Sequence, residues 1–131
     1  MTGRRSPQTY MRKAEEALSA ARVLLIAKSA DGACNRAYYA MFNAAHAALF
    51  SLGVEGLTSP IKTHNGLIAR FGQAIVLAGH LPAEHGEYLN RAEDLRLLAD
   101  YSDDSVKLTD ATSSVERAEA FVVAVKEKFG L

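Results

Sequence analysis

Arg36, Tyr39, Asn43, His46 and Phe50 recur at intervals of three, four, three and four residues. On a helix that spacing gathers them onto one stripe. A guanidinium, a phenol, an amide and an imidazole on one side can hold an anion, stack on a planar ring and exchange a proton. Tyr39 and Phe50 would expose much apolar area to bulk water, so the stripe suits a pocket or a subunit interface. At an interface, Asn43 and His46 need only be hydrogen-bonded.

Two shorter patterns add to it. His64 follows Thr63 where a third helix should begin, and the unpaired N–H groups of a helix start favour anions such as phosphate. The plainer alternative makes Thr63 a cap and His64 a first-turn surface residue. Arg96 and Asp100 stand four apart with Tyr101 next in sequence. An exposed pair in that order contributes only about 0.2–0.5 kcal/mol. Between helices the carboxylate could instead aim the planar guanidinium at a phosphate.

Other chemistries find little support. Neither Gly53-Val-Glu-Gly56 nor Gly79-His80 has the strand–loop–helix setting of a phosphate loop. His46, His64, His80 and His85 lack the spacing of a zinc-protease helix, Cys34 is the only cysteine, and no triad order is recognisable. No metal and no cofactor is expected. Fifteen basic and fifteen acidic side chains cancel, so any attraction for nucleic acid must be local. Met1 to Gln8 lacks the apolar stretch of a secretory signal, and Asn35, Arg36, Asn43 and His46 interrupt the most apolar region. A soluble, cytoplasmic protein with no membrane partner is expected.

The elements that must position these residues follow from periodicity. With 131 residues, 49% of them hydrophobic, the chain suits one domain over 1–131, with 1–8 as a flexible tail. Met11, Ala14, Leu18, Ala21 and Leu25 mark a first helix that starts after Pro7 and ends near Lys28. A second, from an Asp31 N-cap to Leu52 with Gly53 beyond it, buries Cys34, Tyr38, Met41, Ala45, Ala48 and Leu52. Residues 53–61 read as a loop that could move. A third helix from His64 or Asn65 to Leu77 buries Leu67, Phe71 and Ile75 and stops at Gly79. A fourth opens at Leu81-Pro82, buries Tyr88, Ala92, Leu95 and Ala99, and frays near Asp103-Asp104. Ser113-x-x-Glu116 reads as a capping box before Val115, Ala118, Val122, Val125 and Phe129. No segment alternates like a strand. The fold class is all-α, an antiparallel up-and-down bundle of four to five helices.

The run from Asn35 to Gly53, containing Tyr38-Tyr-Ala-Met-Phe42, resembles the second-helix motif of bacterial HEPN domains, helical proteins often encoded beside a minimal nucleotidyltransferase. Lys62-Thr-His-Asn-Gly66 is similar to that family's Thr-His-x-Gly segment, and Leu95-Arg-Leu-Leu-Ala-Asp-Tyr101 to its Arg-x-x-x-Asp-Tyr segment. The matches span roughly residues 10–125. The resemblance implies a homodimer whose cleft, between the second and fourth helices, collects Arg36, Tyr39, Asn43 and Arg96. Many active members are metal-independent ribonucleases with an arginine and a later histidine separated by four to six intervening residues. Here those positions after Arg96 hold Tyr101, Ser102 and Asp103.

Cleaving RNA needs a base for the 2′-hydroxyl proton and positive charge on the phosphorane, and arginine supplies only the second. His46 or His64 could supply the first if the fold brings either to Arg96. Two readings result. One is a toxin-like or defence-associated ribonuclease restrained by a nucleotidyltransferase partner, with Tyr101 a candidate for nucleotide modification and Asp100 part of the RNA or nucleotide site. The other is a non-catalytic adaptor or nucleotide-binding dimer. A third treats the polar residues as supports of a helical dimer with an unrelated role.

Overall fold

The computed structural model describes residues 6–54, 61 and 63–131. Its first helix, α1, runs Pro7–Ile26. The Ser6 hydroxyl accepts a hydrogen bond from the Thr9 N–H at 3.0 Å, and Pro7 needs no donor partner in the first turn. Pro7 and Gln8, expected in the tail, therefore lie in the helix. Met11, Ala14, Leu18 and Ala21 are buried as the spacing requires.

Lys28, in the left-handed region at φ 61°, turns the chain into α2, Ala30–Ser51. Asp31 is not its N-cap. It sits in the first turn, where its Oδ1 accepts from the Val106 N–H at 2.8 Å and ties the connection before the last helix to the start of α2. Small residues let α2 be buried on nearly every side: Ala33, Ala37, Ala40, Ala44, Ala45, Ala47 and Ala48 are all inaccessible, with Cys34, Tyr38, Met41 and Leu49 among them. Leu52, expected in the core, is 37% exposed because the helix closes there; Gly53 beyond it takes the left-handed φ of 74°. Of the loop expected over 53–61, positions 55–60 lie outside the described residues, as does Lys62.

Helix α3, His64–Phe71, continues into a π-helical turn, Gly72–Leu77. The expected single helix thus has the right ends and a widened second half. Leu67, Phe71 and Ile75 are all buried, and Gly79 has a φ of 85° where the chain turns away. Helix α4 is Ala83–Tyr101. Its buried residues are His85, Leu89, Ala92, Glu93, Leu95 and Arg96, while Tyr88 and Ala99 are only partly covered. The expected apolar stripe is displaced because two charged side chains take places on the inner face.

Helix α5, Leu108–Phe129, begins five residues before the expected capping box, which lies inside it. Lys107 is the N-cap residue, Asp110 supports the positive end of the helix, and Ala111 is already buried. Gly130, with a φ of 66°, ends it. Among the described residues the protein is a bundle of these helices without strands: α2 is central, touched by α1, α4 and α5, while α3 and the π turn pack against α2 and α4. Burying Tyr38, Phe71, Phe121, Met41 and Leu49 contributes about 1.5–3 kcal/mol each. No described helix is long and apolar enough to cross a membrane.

Candidate functional site

Tyr38 is fully buried in α2, yet its hydroxyl lies 2.6 Å from Nδ1 of His64 at the start of α3. The Arg96 guanidinium from α4 sits over the same ring, 5.0 Å from its centroid. Three helices thus bring a histidine and an arginine onto one tyrosine. His64 is placed by local chemistry: Thr63 Oγ1 accepts the Gly66 N–H at 2.9 Å, which caps α3. A Cβ at position 66 would meet that oxygen at 2.7 Å, so the glycine of the Thr-His-x-Gly segment leaves room for the cap.

Arg96 is 8% exposed and doubly paired. Glu93, also buried, accepts from its Nε at 2.8 Å, and Nη2 lies 2.7 Å from the same carboxylate oxygen, an ion pair one turn away. Asp100 accepts from Nη1 at 3.3 Å. Burial opposes the positive charge, but hydrogen bonding and the charge of Glu93 outweigh it and raise the Arg96 pKa. Burial, then the negative charge of Glu93, push the Tyr38 phenol well above its ordinary range, with the charge of Arg96 pulling the other way. Tyr38 therefore stays protonated around neutral pH, a fixed hydroxyl that orients His64. Burial lifts the Cys34 thiol to about 11, which leaves it a poor nucleophile.

The other expected residues divide into two groups. Arg36, Tyr39 and Asn43 line one open cavity of about 260 Å³ between α1 and α2. Arg36 lies over the Tyr39 ring at 5.0 Å and donates from Nε to Asn35 Oδ1 at 3.3 Å. Asn35 in turn reaches Asp100 at 3.4 Å, so a chain of side chains connects Arg36 to Arg96. Asn43 donates to the Tyr39 carbonyl at 2.9 Å. His46 sits elsewhere: it is buried, stacked on Tyr10 of α1 with centroids 4.7 Å apart, and Phe42 is edge-on to it. Phe50 also lies beside Tyr10, at 6.3 Å. The stripe read from α2 is therefore split, with α1 covering its C-terminal half. Tyr101, at the end of α4, is 78% exposed.

Sequence reasoning missed three participants. Tyr38 was assigned to the core, where it is, but its hydroxyl carries the link to His64. Glu93 and Asn35 were not singled out. The signal for Glu93 was present in Glu93-x-x-Arg96-x-x-x-Asp100, which puts both carboxylates on the arginine's side of the helix. Among the described residues no group of three or more His, Cys, Asp or Glu side chains is arranged to hold a metal ion. Chemically, the cluster offers an oriented imidazole, a fixed phenol and a guanidinium.

A helical bundle with polar side chains of α2, α3 and α4 gathered around one buried tyrosine defines the class. Residues 7–128 match the HEPN domain, and the chain belongs to the HEPN family. It is 43% identical over 94 residues to a UPF0332 protein of Gloeobacter violaceus, covering 72% of this chain and 71% of that one. A Methanocaldococcus jannaschii protein named as a candidate toxin is 35% identical over 120 residues, covering 92% of this chain and 86% of the other. A UPF0332 protein of Thermotoga maritima is 29% identical over 119 residues, covering 90% and 86%.

Proposed function

We propose that this chain is a HEPN toxin that cleaves RNA without a metal ion, with His64 in the acid–base role left open by the missing histidine after Arg96. The observation that carries this reading is that His64 and Arg96 both meet the Tyr38 ring, the first through a 2.6 Å hydrogen bond. His64 takes the 2′-hydroxyl proton, the 2′-oxygen attacks phosphorus, and the bond to the 5′-oxygen breaks as that oxygen takes a proton from water, leaving a 2′,3′-cyclic phosphate and a 5′-hydroxyl. Arg96 adds positive potential at the developing phosphorane. The toxin name of the Methanocaldococcus relative supports the biological setting.

The same reading includes a homodimer and a restraining nucleotidyltransferase. Leu97, Leu98 and Tyr101 expose apolar area along α4, which suits a subunit contact there, and the bare Tyr101 phenol suits modification. Purified protein should cleave single-stranded RNA in EDTA, and His64→Gln should lower the rate about 10²–10⁴-fold while circular dichroism stays unchanged. A parent protein inert towards RNA, or a His64→Gln variant of full activity, rejects the assignment. A non-catalytic adaptor is the second reading, favoured by the two carboxylates that already occupy the Arg96 guanidinium. Inert protein that binds nucleotides or the partner would establish it instead.

A further inference from the structure

Asp100 holds Arg96 less firmly than Glu93 does. Its Oδ2 lies 3.3 Å from Arg96 Nη1, and the Asn35 amide nitrogen stands 3.4 Å from each of its two oxygens. An N–H···O bond is ordinarily about 2.9–3.0 Å long, and a charge-assisted one is shorter. Glu93 meets the same guanidinium at 2.7 and 2.8 Å. The Asp100 side chain is also 31% exposed, against 10% for that of Glu93.

The place of Asp100 in its helix makes the contrast sharper. It stands in the last turn of α4, where the helix dipole disfavours a carboxylate and no basic residue offsets it. The Ser102 N–H donates to the Leu98 carbonyl at 3.1 Å where the helix closes, and Tyr101 to Ser105 are exposed until Val106 returns to the interior. Helix ends of this kind fray. If the carboxylate lets go, the guanidinium still has Glu93 and the Tyr38 ring face, so Nη1 is uncovered while Arg96 stays in place.

We infer that Asp100 is an internal competitor for the substrate: its carboxylate holds the position on Arg96 Nη1 that an RNA phosphodiester takes when the last turn of α4 releases it. The inference rests on the ribonuclease reading for the identity of the ligand. One positive charge now faces two negative ones, so a phosphate arriving beside both carboxylates is repelled. A diester carries a single negative charge, as the carboxylate does, and exchanging one for the other keeps the balance that the fold already holds. The contact therefore covers the arginine in the resting protein. Asn35, reaching across from α2, is what keeps the carboxylate there.

The test is equilibrium binding of a labelled single-stranded RNA 12-mer, over a series of salt concentrations, to the full chain carrying His64→Gln so that no substrate is consumed. Adding Asp100→Asn keeps the size of the side chain but removes its charge, and should tighten binding about fivefold or more. The slope of log affinity against log salt should steepen by about 0.7, as one more phosphate contact on a single strand requires. Asp103→Asn removes an exposed carboxylate nearby and should change affinity less than about twofold. In a Glu93→Leu/Arg96→Met background, which removes the ion pair as a unit, the gain from Asp100→Asn should disappear. Unchanged or weaker binding by the Asp100→Asn protein, an equal gain from Asp103→Asn, a gain that survives without Arg96, or no binding of RNA by any of these proteins overturns the inference. An Arg96-dependent gain in a protein that, with His64 restored, cleaves no RNA keeps the competitor and rejects only the ribonuclease.

Discussion

Arg36 and Arg96 are the same residue type, connected by two side chains, in opposite electrostatic situations. Arg96 is buried between helices and held by two carboxylates, one of them buried with it. Arg36 faces an open cavity with an amide and an aromatic ring for company. The buried arginine is bound into the fold, because removing it strands a largely buried carboxylate without its counter-charge. The open one is oriented but not neutralised. Arg96 thus belongs to the fold first, and its charge serves a phosphate only where Asp100, the looser partner at 3.3 Å, gives way, whereas Arg36 has no carboxylate to displace among the described residues.

The largest effect that could break this comparison is on stability. Arg96→Ala should cost about 3–5 kcal/mol in urea unfolding, because Glu93 is left charged, buried and unpaired. Arg36→Ala should cost less than about 1 kcal/mol, the scale of a cation–π contact at a partly open site. The double replacement Glu93→Leu/Arg96→Met should unfold later than Arg96→Ala alone. Similar losses from the two single alanine variants would erase the distinction between the arginines.

A smaller effect sharpens it on the histidine side. In Gly66→Ala the new Cβ displaces the Thr63 cap, which costs about 1 kcal/mol. The better helix propensity of alanine returns about 1 kcal/mol. Stability should therefore change little while RNA cleavage falls several-fold, because the cap sets the entry of His64. Unaltered cleavage would mean that His64 does not need this placement.

The smallest expected effect comes from outside both regions. His85 is buried against Phe121 and Tyr88, its Nδ1 has no hydrogen-bond partner among the described residues, and burial lowers its pKa below the ordinary 6.5, with the charge of Glu84 opposing. The unfolded chain then binds the proton more readily than the folded one. Stability should be level above the unfolded value and decline as pH drops through and below about 6.5. Melting temperatures measured from about pH 8 down to about pH 5 should fall less in His85→Leu than in the parent. A slope that survives the replacement assigns the acid sensitivity to other groups.

The sequence made the helices legible because they obey apolar spacing: Met11 to Ala21, Cys34 to Ala48 and Leu67 to Ile75 are buried as read. Periodicity failed where polar residues do inner work. In α4, Glu93 and Arg96 neutralise each other and so can enter the interior, a possibility that counting apolar residues overlooks. At the start of α5, Ser113 and Glu116 have the letters of a cap, but Ala111 is already buried upstream and the helix runs through them from Leu108. The site was half legible. Arg36, Tyr39, Asn43, His64 and Arg96 were named from type and spacing, whereas the Tyr38 hydroxyl was hidden within a correctly assigned core position, and the cover that Tyr10 gives His46 depends on how α1 crosses α2.

The widened turn at Gly72–Leu77 carries a bookmark of chain length. A π turn spans one residue more than the α-helix it interrupts, as an inserted residue would leave it. Deleting one residue there would let the segment relax into regular pitch and rotate everything on one side by roughly 100° relative to the other. Either Leu67 and Phe71 would leave the core, swinging His64 away from Tyr38, or the approach to α4 would have to be rebuilt. One surplus amino acid in the second half of this segment thereby holds the His64 imidazole in register with the Tyr38 phenol.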